Sequence, residues 1–96
     1  MELVRRVKVV CDTMIMDYYV YVIKSKKMKW SYVGMSKDIK KRLKMHNTNK
    51  VTSTKNKGPF RLVYKEGCTS SSDAREREMY FKSNAGKEYL QRRGYL

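Results

Sequence analysis

The chain has 96 residues, enough for a single domain, and a domain this short buries only about 60–65% of the surface its unfolded form exposes. Its 23 Lys and Arg against 9 Asp and Glu give a formal net charge of +14, which attracts polyanions; nucleic acid is the expected partner and an anionic membrane surface the weaker one. Two distant cysteines, Cys11 and Cys68, and one histidine exclude a zinc finger of the usual pattern and a disulfide framework, and no run approaches the ~18 apolar residues of a membrane span.

Residues 1–17 differ from the rest. Arg5, Arg6 and Lys8 stand beside Val7, Val9, Val10 and Cys11. Lys8 and Asp12 interrupt the apolar stretch and no small-residue cleavage site follows, which makes a poor signal peptide. A reducing, cytoplasmic location is the expected default. The segment reads either as an N-terminal extension ahead of a translation start at Met14 or Met16, or as an extra strand from Leu3 to Val10. The domain proper is expected over residues 18–96.

Tyr18 to Lys24 is aromatic and β-branched, the composition of a strand. Residues 25–29 are polar and predict a turn, and residues 30–35 return as a second strand. A symmetric hairpin sets Tyr21 opposite Tyr32 and Tyr19 opposite Gly34, so that all four share one face. Ser36 or Asp38 is placed to cap a helix running to about His46, with Ile39 and Leu43 to pack. Residues 47–59 are polar, end in Gly58-Pro59, and read as a loop. Phe60 to Lys65 alternates as a third strand. Residues 70–73 offer N-cap side chains ahead of a helix from about Asp73 to Asn84; Gly86 breaks it, and a short helix follows from Lys87 to about Arg93. The order β-β-α-β-α-α predicts an α+β fold, a small sheet flanked by helices.

Spacing is most informative at Glu78. Ala74, Phe81 and Ala85 lie four residues before it and three and seven after it, so the carboxylate projects from the stripe that faces the sheet. A charge there is costly unless it is paired or binds a cation. The two readings are an ion pair with a buried arginine and a metal site; one carboxylate with waters and a phosphate oxygen suits Mg²⁺. Arg42 and His46 lie one turn apart on the first helix and point the same way. The flanking Lys37, Lys40, Lys41 and Lys44 make that helix strongly basic, a solvated face suited to phosphates. Arg42 differs from them by adjoining the Ile39/Leu43 stripe, where a guanidinium reaches the sheet and still forks onto a phosphate. His46 reads as a proton carrier or as a cap of the helix end. Tyr21 and Tyr32 cluster with Gly34, which is expected to leave an open spot beside them. A free phenol, with a pKa of about 10, is a poor base unless nearby cations favour the phenolate.

In order, Tyr19-Val20-Tyr21, Tyr32-Val33-Gly34, Arg42, His46-Asn47 and Glu78 resemble the GIY-YIG nuclease domain, most closely its small stand-alone URI-type branch. The resemblance extends through residues 51–55, 58–64, 74–78 and 82–83, and covers about residues 18–92. It implies a three-stranded antiparallel sheet flanked by helices, with the site on one sheet face. It further implies that Tyr21 is the general base or positions the attacking water, that Tyr32 orients water or substrate, that Arg42 holds the scissile phosphate, that Glu78 binds one divalent metal, Mg²⁺ or Mn²⁺, and that His46 helps the proton transfer. Tyr19 replaces the motif's first glycine, and Met35 stands where excision-repair relatives carry a lysine, so cationic help there falls to Lys37. The expectation is a metal-dependent endonuclease acting on DNA, structure-specific in repair or recombination, with Lys37, Lys40, Lys41, Lys44 and Lys55 on the nucleic acid. RNA is an open substrate, and a protein partner is one way to supply specificity. The alternative is a basic nucleic-acid binding module without catalysis.

Overall fold

A computed structural model describes residues 17–96. The expected extension or strand within residues 1–16 lies outside the described residues.

β1 (Tyr18–Ser25), β2 (Ser31–Ser36) and β3 (Phe60–Cys68) form one antiparallel sheet in the order β2-β1-β3. α1 (Ile39–Asn47) follows β2, while α2 (Ser71–Lys82) and α3 (Asn84–Arg92) follow β3. The architecture is the expected α+β arrangement. Among the described residues no helix is long and apolar enough to cross a membrane.

The hairpin register differs from the expected one by two residues. Tyr21 lies opposite Gly34, Ile23 opposite Tyr32 and Tyr19 opposite Ser36. Ser25 explains the offset: its hydroxyl accepts from the amides of Lys27 and Met28 and donates to the Lys57 carbonyl, and its own amide closes the turn on the Trp30 carbonyl. The hairpin closes on residues 26–30, so β2 begins one residue later than expected. A slip of two keeps the alternation of faces. Tyr19, Tyr21, Tyr32 and Gly34 therefore still share one side.

β1 is buried on both sides, as a central strand should be. Val20 and Val22, with Val33 and Cys68, face Ala74 and Phe81 of α2 and Leu90 of α3. Tyr21 and Ile23, with Phe60, face Ile39 and Leu43 of α1. An irregularity between Val22 and Ile23 in the pairing with β3 shifts register by one and brings Phe60, at the start of β3, opposite Ser25.

The helix ends follow from their caps. Asp38, one of the two expected candidates, accepts from the Lys41 amide, and Ser70 accepts from that of Asp73. Helix α2 ends earlier than expected, and Gly86 is not what ends it. Ser83 stops α2 with an extended backbone and then caps α3 by accepting from the Gly86 amide. Gly86 instead sits buried inside the first turn of α3, where a Cβ would stand 2.0 Å from the Tyr80 carbonyl oxygen. It is there because two helices approach closely, not because the chain needs a breaker.

Candidate active site

Tyr21 and His46 define the centre. Both are almost completely buried, and the Tyr21 hydroxyl lies 2.8 Å from His46 Nε2. The Tyr32 ring closes one side, its centroid 6.5 Å from that of Tyr21 and 5.1 Å from that of His46. Trp30 stacks on Tyr32, with Lys57 over the indole. A Cβ at Gly34 would lie 2.6 Å from the Tyr21 hydroxyl and 3.0 Å from the Tyr32 ring. The spot expected to be open beside Gly34 is thus where the Tyr21 phenol itself sits, and only glycine leaves that room.

Arg42 and Glu78 both act on this phenol. Burial raises the Tyr21 pKa; the Arg42 guanidinium opposes that shift through hydrogen bonding and charge, and the charge of Glu78 adds to it. Arg42 Nε is buried, with no hydrogen-bond partner among the described residues. A buried donor left without a partner costs roughly 1–3 kcal/mol, a cost that packing alone does not explain. The Glu78 side chain retains 19% of its exposure, and its nearest cation is Lys82, one turn on, at 3.4 Å. The expected alternative of an ion pair with a buried arginine is not what the structure holds. The arginines that do pair with carboxylates choose others: Arg77 grips Glu66 with two nitrogens, at 2.6 and 3.1 Å, and Arg92 meets Glu88 at 3.2 Å. Lys82 also sets its Nζ 5.9 Å from the Tyr32 ring centroid, bringing the end of α2 to the side where Tyr32 lies.

His46 does not cap α1 with its side chain. The ring turns inward, with Nδ1 2.8 Å from the Thr54 hydroxyl oxygen. Burial first, and then the Arg42 charge, push its pKa down to about 4, so the ring is neutral near pH 7.

Nothing in the sequence alone marks Thr54. It ends a 3₁₀ turn (Thr52–Thr54) inside the segment read as plain loop, and it is fully buried. Asn47 was likewise assigned no role, yet its carboxamide accepts from the Phe60 amide at 2.6 Å and fixes the start of β3. Polar residues at such positions carry no periodicity, so only the run Val51 to Lys55 marked the segment. The expected phosphate contacts Lys37, Lys40, Lys41, Lys44 and Lys55 are all exposed; Lys37 also lies over the Tyr18 ring.

Comparison with known proteins decides the family. Residues 17–92 match the model of the GIY-YIG catalytic domain. This chain belongs to the GIY-YIG family. Among curated proteins it is similar to the UPF0213 protein YazA of Bacillus subtilis, 34% identical over 73 residues, covering 75% of this chain and 73% of the relative. It is also similar to the UPF0213 protein CPE1444 of Clostridium perfringens, 35% identical over 74 residues, 76% of this chain and 78% of that one. The solution NMR structure of the UPF0213 protein BH0048 from Bacillus halodurans is 34% identical and covers 76% of this chain and 80% of its own, with a TM-score of 0.47.

Proposed function

We propose that this protein is a metal-dependent endonuclease that hydrolyses DNA phosphodiesters, with Tyr21, Tyr32, Arg42, His46 and Glu78 as its working residues. The observation that carries this reading is the buried Tyr21–His46 hydrogen bond beside the unpartnered Arg42 Nε. A buried phenol next to a neutral imidazole and a guanidinium whose Nε is unsatisfied is an expensive arrangement for packing alone.

In this reading Arg42 forks onto the scissile phosphate, whose oxygens supply the acceptor that Arg42 Nε lacks. Tyr32 orients the water and the substrate. Tyr21 takes a proton from the attacking water as its own proton passes to His46 Nε2, so that neither the buried phenol nor the imidazole carries charge in the resting state. The water oxygen forms the new P–O bond as the bond to the leaving oxygen breaks in line. Glu78 is the residue that would hold a divalent cation. One partly exposed carboxylate with a single lysine beside it suits an ion that keeps most of its water, and among the described residues no three His, Cys, Asp or Glu gather into a fuller cage. When bound, such a cation supplies positive charge for the leaving oxygen and the crowded phosphate.

The exposed lysines of α1, together with Lys55, give the backbone contacts, which position DNA without reading its sequence. Selectivity then comes from substrate shape, such as a flap or junction in repair or recombination, or from a protein partner. The test is a cleavage panel over single-stranded, duplex, flap and junction DNA, with RNA counterparts, in Mg²⁺ and in Mn²⁺. Wild type is expected to cut, and Glu78→Gln to lose at least about 10²–10³-fold of the rate while keeping its fold. Equal cleavage by the two proteins would refute the mechanism. Salt-sensitive, metal-independent binding with no cleavage would establish the binding module instead.

A further inference from the structure

The hydrogen bonds around His46 run in one direction. The Thr54 hydroxyl has a single proton to give, and the Val51 carbonyl beside it can only accept. Thr54 Oγ1 is therefore an acceptor towards the His46 ring, which leaves the single phenolic proton of Tyr21 to point at His46 Nε2, 2.8 Å away. A neutral imidazole that accepts at Nε2 carries its proton on Nδ1. Nδ1 in turn lies 2.8 Å from Thr54 Oγ1, and the Thr54 hydroxyl has its own acceptor, the Val51 carbonyl, at 3.4 Å. Tyr21, His46 and Thr54 then each donate once, and each of these three donors meets an acceptor.

We propose that Thr54 is a positioning residue for the Tyr21–His46 pair: its hydroxyl oxygen accepts the Nδ1 proton and so fixes the tautomer that leaves Nε2 able to take the Tyr21 proton. The inference rests on the reading of His46 as the proton acceptor and goes beyond it by assigning the group behind the ring. A base held by a third group through its far nitrogen is the arrangement that acid–base catalysis requires wherever the wrong tautomer would present a proton to a proton. It also gives the segment between α1 and β3 a purpose. Val51 is buried, and the Thr54 amide bonds to the Val51 carbonyl at 3.1 Å. The Asn56 amide reaches Asn49 Oδ1 at 3.1 Å, and Asn47 pins Phe60 at the far end. The turn is built so that one hydroxyl arrives behind the imidazole.

The experiment is ¹⁵N NMR of the His46 ring in the full chain near neutral pH, on wild type, Thr54→Val and Thr54→Ser, paired with single-turnover cleavage. Wild type and Thr54→Ser are expected to show a protonated Nδ1 and a bare Nε2. Thr54→Val keeps the shape but loses the acceptor; it should show a mixed or reversed tautomer and a kcat lower by roughly 10–100-fold, with KM little changed. Thr54→Ser should stay within about threefold of wild type. A protonated Nε2 in wild type overturns the proposal, and so does a Thr54→Val protein with the wild-type tautomer. If Thr54→Val does not fold, the wild-type spectrum still decides. Wild-type protein without cleavage would defeat the nuclease reading, whereas the tautomer is read from the ring nitrogens alone.

Discussion

The two faces of β1 do opposite work with alternate residues of one strand. Val20 and Val22 look towards α2 and α3 and meet side chains without charge: Val33, Cys68, Ala74, Phe81 and Leu90. Tyr21 and Ile23 look towards α1, and there a phenol, an imidazole and a threonine hydroxyl are buried together with Phe60. The first face gains its stability from apolar area removed from water. The second gives part of that gain up to keep the Tyr21, His46 and Thr54 polar groups dry, each held by a partner, while Arg42 Nε has none among the described residues. A period of two lets one strand serve both as anchor of the core and as lining of the candidate site, provided its register is secure.

Breaking the apolar face should have the largest effect on stability. Phe81 is fully buried between the sheet and α3, so Phe81→Ala is expected to cost about 3–5 kcal/mol. That is a large share of the 5–15 kcal/mol typical of a native domain. Urea unfolding followed by circular dichroism measures it.

The polar face should reveal itself in acid. His46 has a pKa of about 4 in the fold against an ordinary 6.5. Below 6.5 the unfolded chain binds a proton that the folded ring refuses, so stability falls as pH drops from 6.5 to about 4 and flattens beneath that. The shift corresponds to roughly 2–4 kcal/mol. His46→Gln should remove this part of the pH slope, whatever it does to absolute stability. An unchanged slope would mean the ring is not buried neutral.

A subtler change separates geometry from stability. Gly34→Ala puts a methyl group 2.6 Å from the Tyr21 hydroxyl, so the ring must swing away from His46. The expected cost is about 1–3 kcal/mol, with cleavage lost far out of proportion to it. A variant that still cleaves normally would show that the Tyr21–His46 contact is dispensable.

Much of this was legible from residue order. Strand content, the Asp38 cap, the Ile39/Leu43 packing side and the odd placement of Glu78 all follow from period and composition. The hairpin pairing lies two residues from the one local pattern predicts, because the turn is set by Ser25 reaching across to the Lys57 carbonyl, a contact 32 residues away that no local pattern announces. The faces are unchanged because the slip is even. Gly86 departs from its expected role because a glycine that admits a neighbouring helix looks, in sequence, like one that ends its own. Thr54 stayed hidden for a related reason: its partner, the His46 ring, is defined only once the segment between them folds back.

The account stands on Tyr32, Arg42 and Glu78 surrounding one patch with the Tyr21–His46 pair. Titrating ¹⁵N-labelled protein with Mn²⁺, whose unpaired electrons broaden nearby resonances, tests this most directly. The account predicts that signals of Glu78, Tyr32, Gly34 and Arg42 broaden together at low Mn²⁺, and that Glu78→Gln removes the effect. Broadening centred elsewhere, on Glu66 or Glu88 for instance, or persisting unchanged in Glu78→Gln, would contradict it.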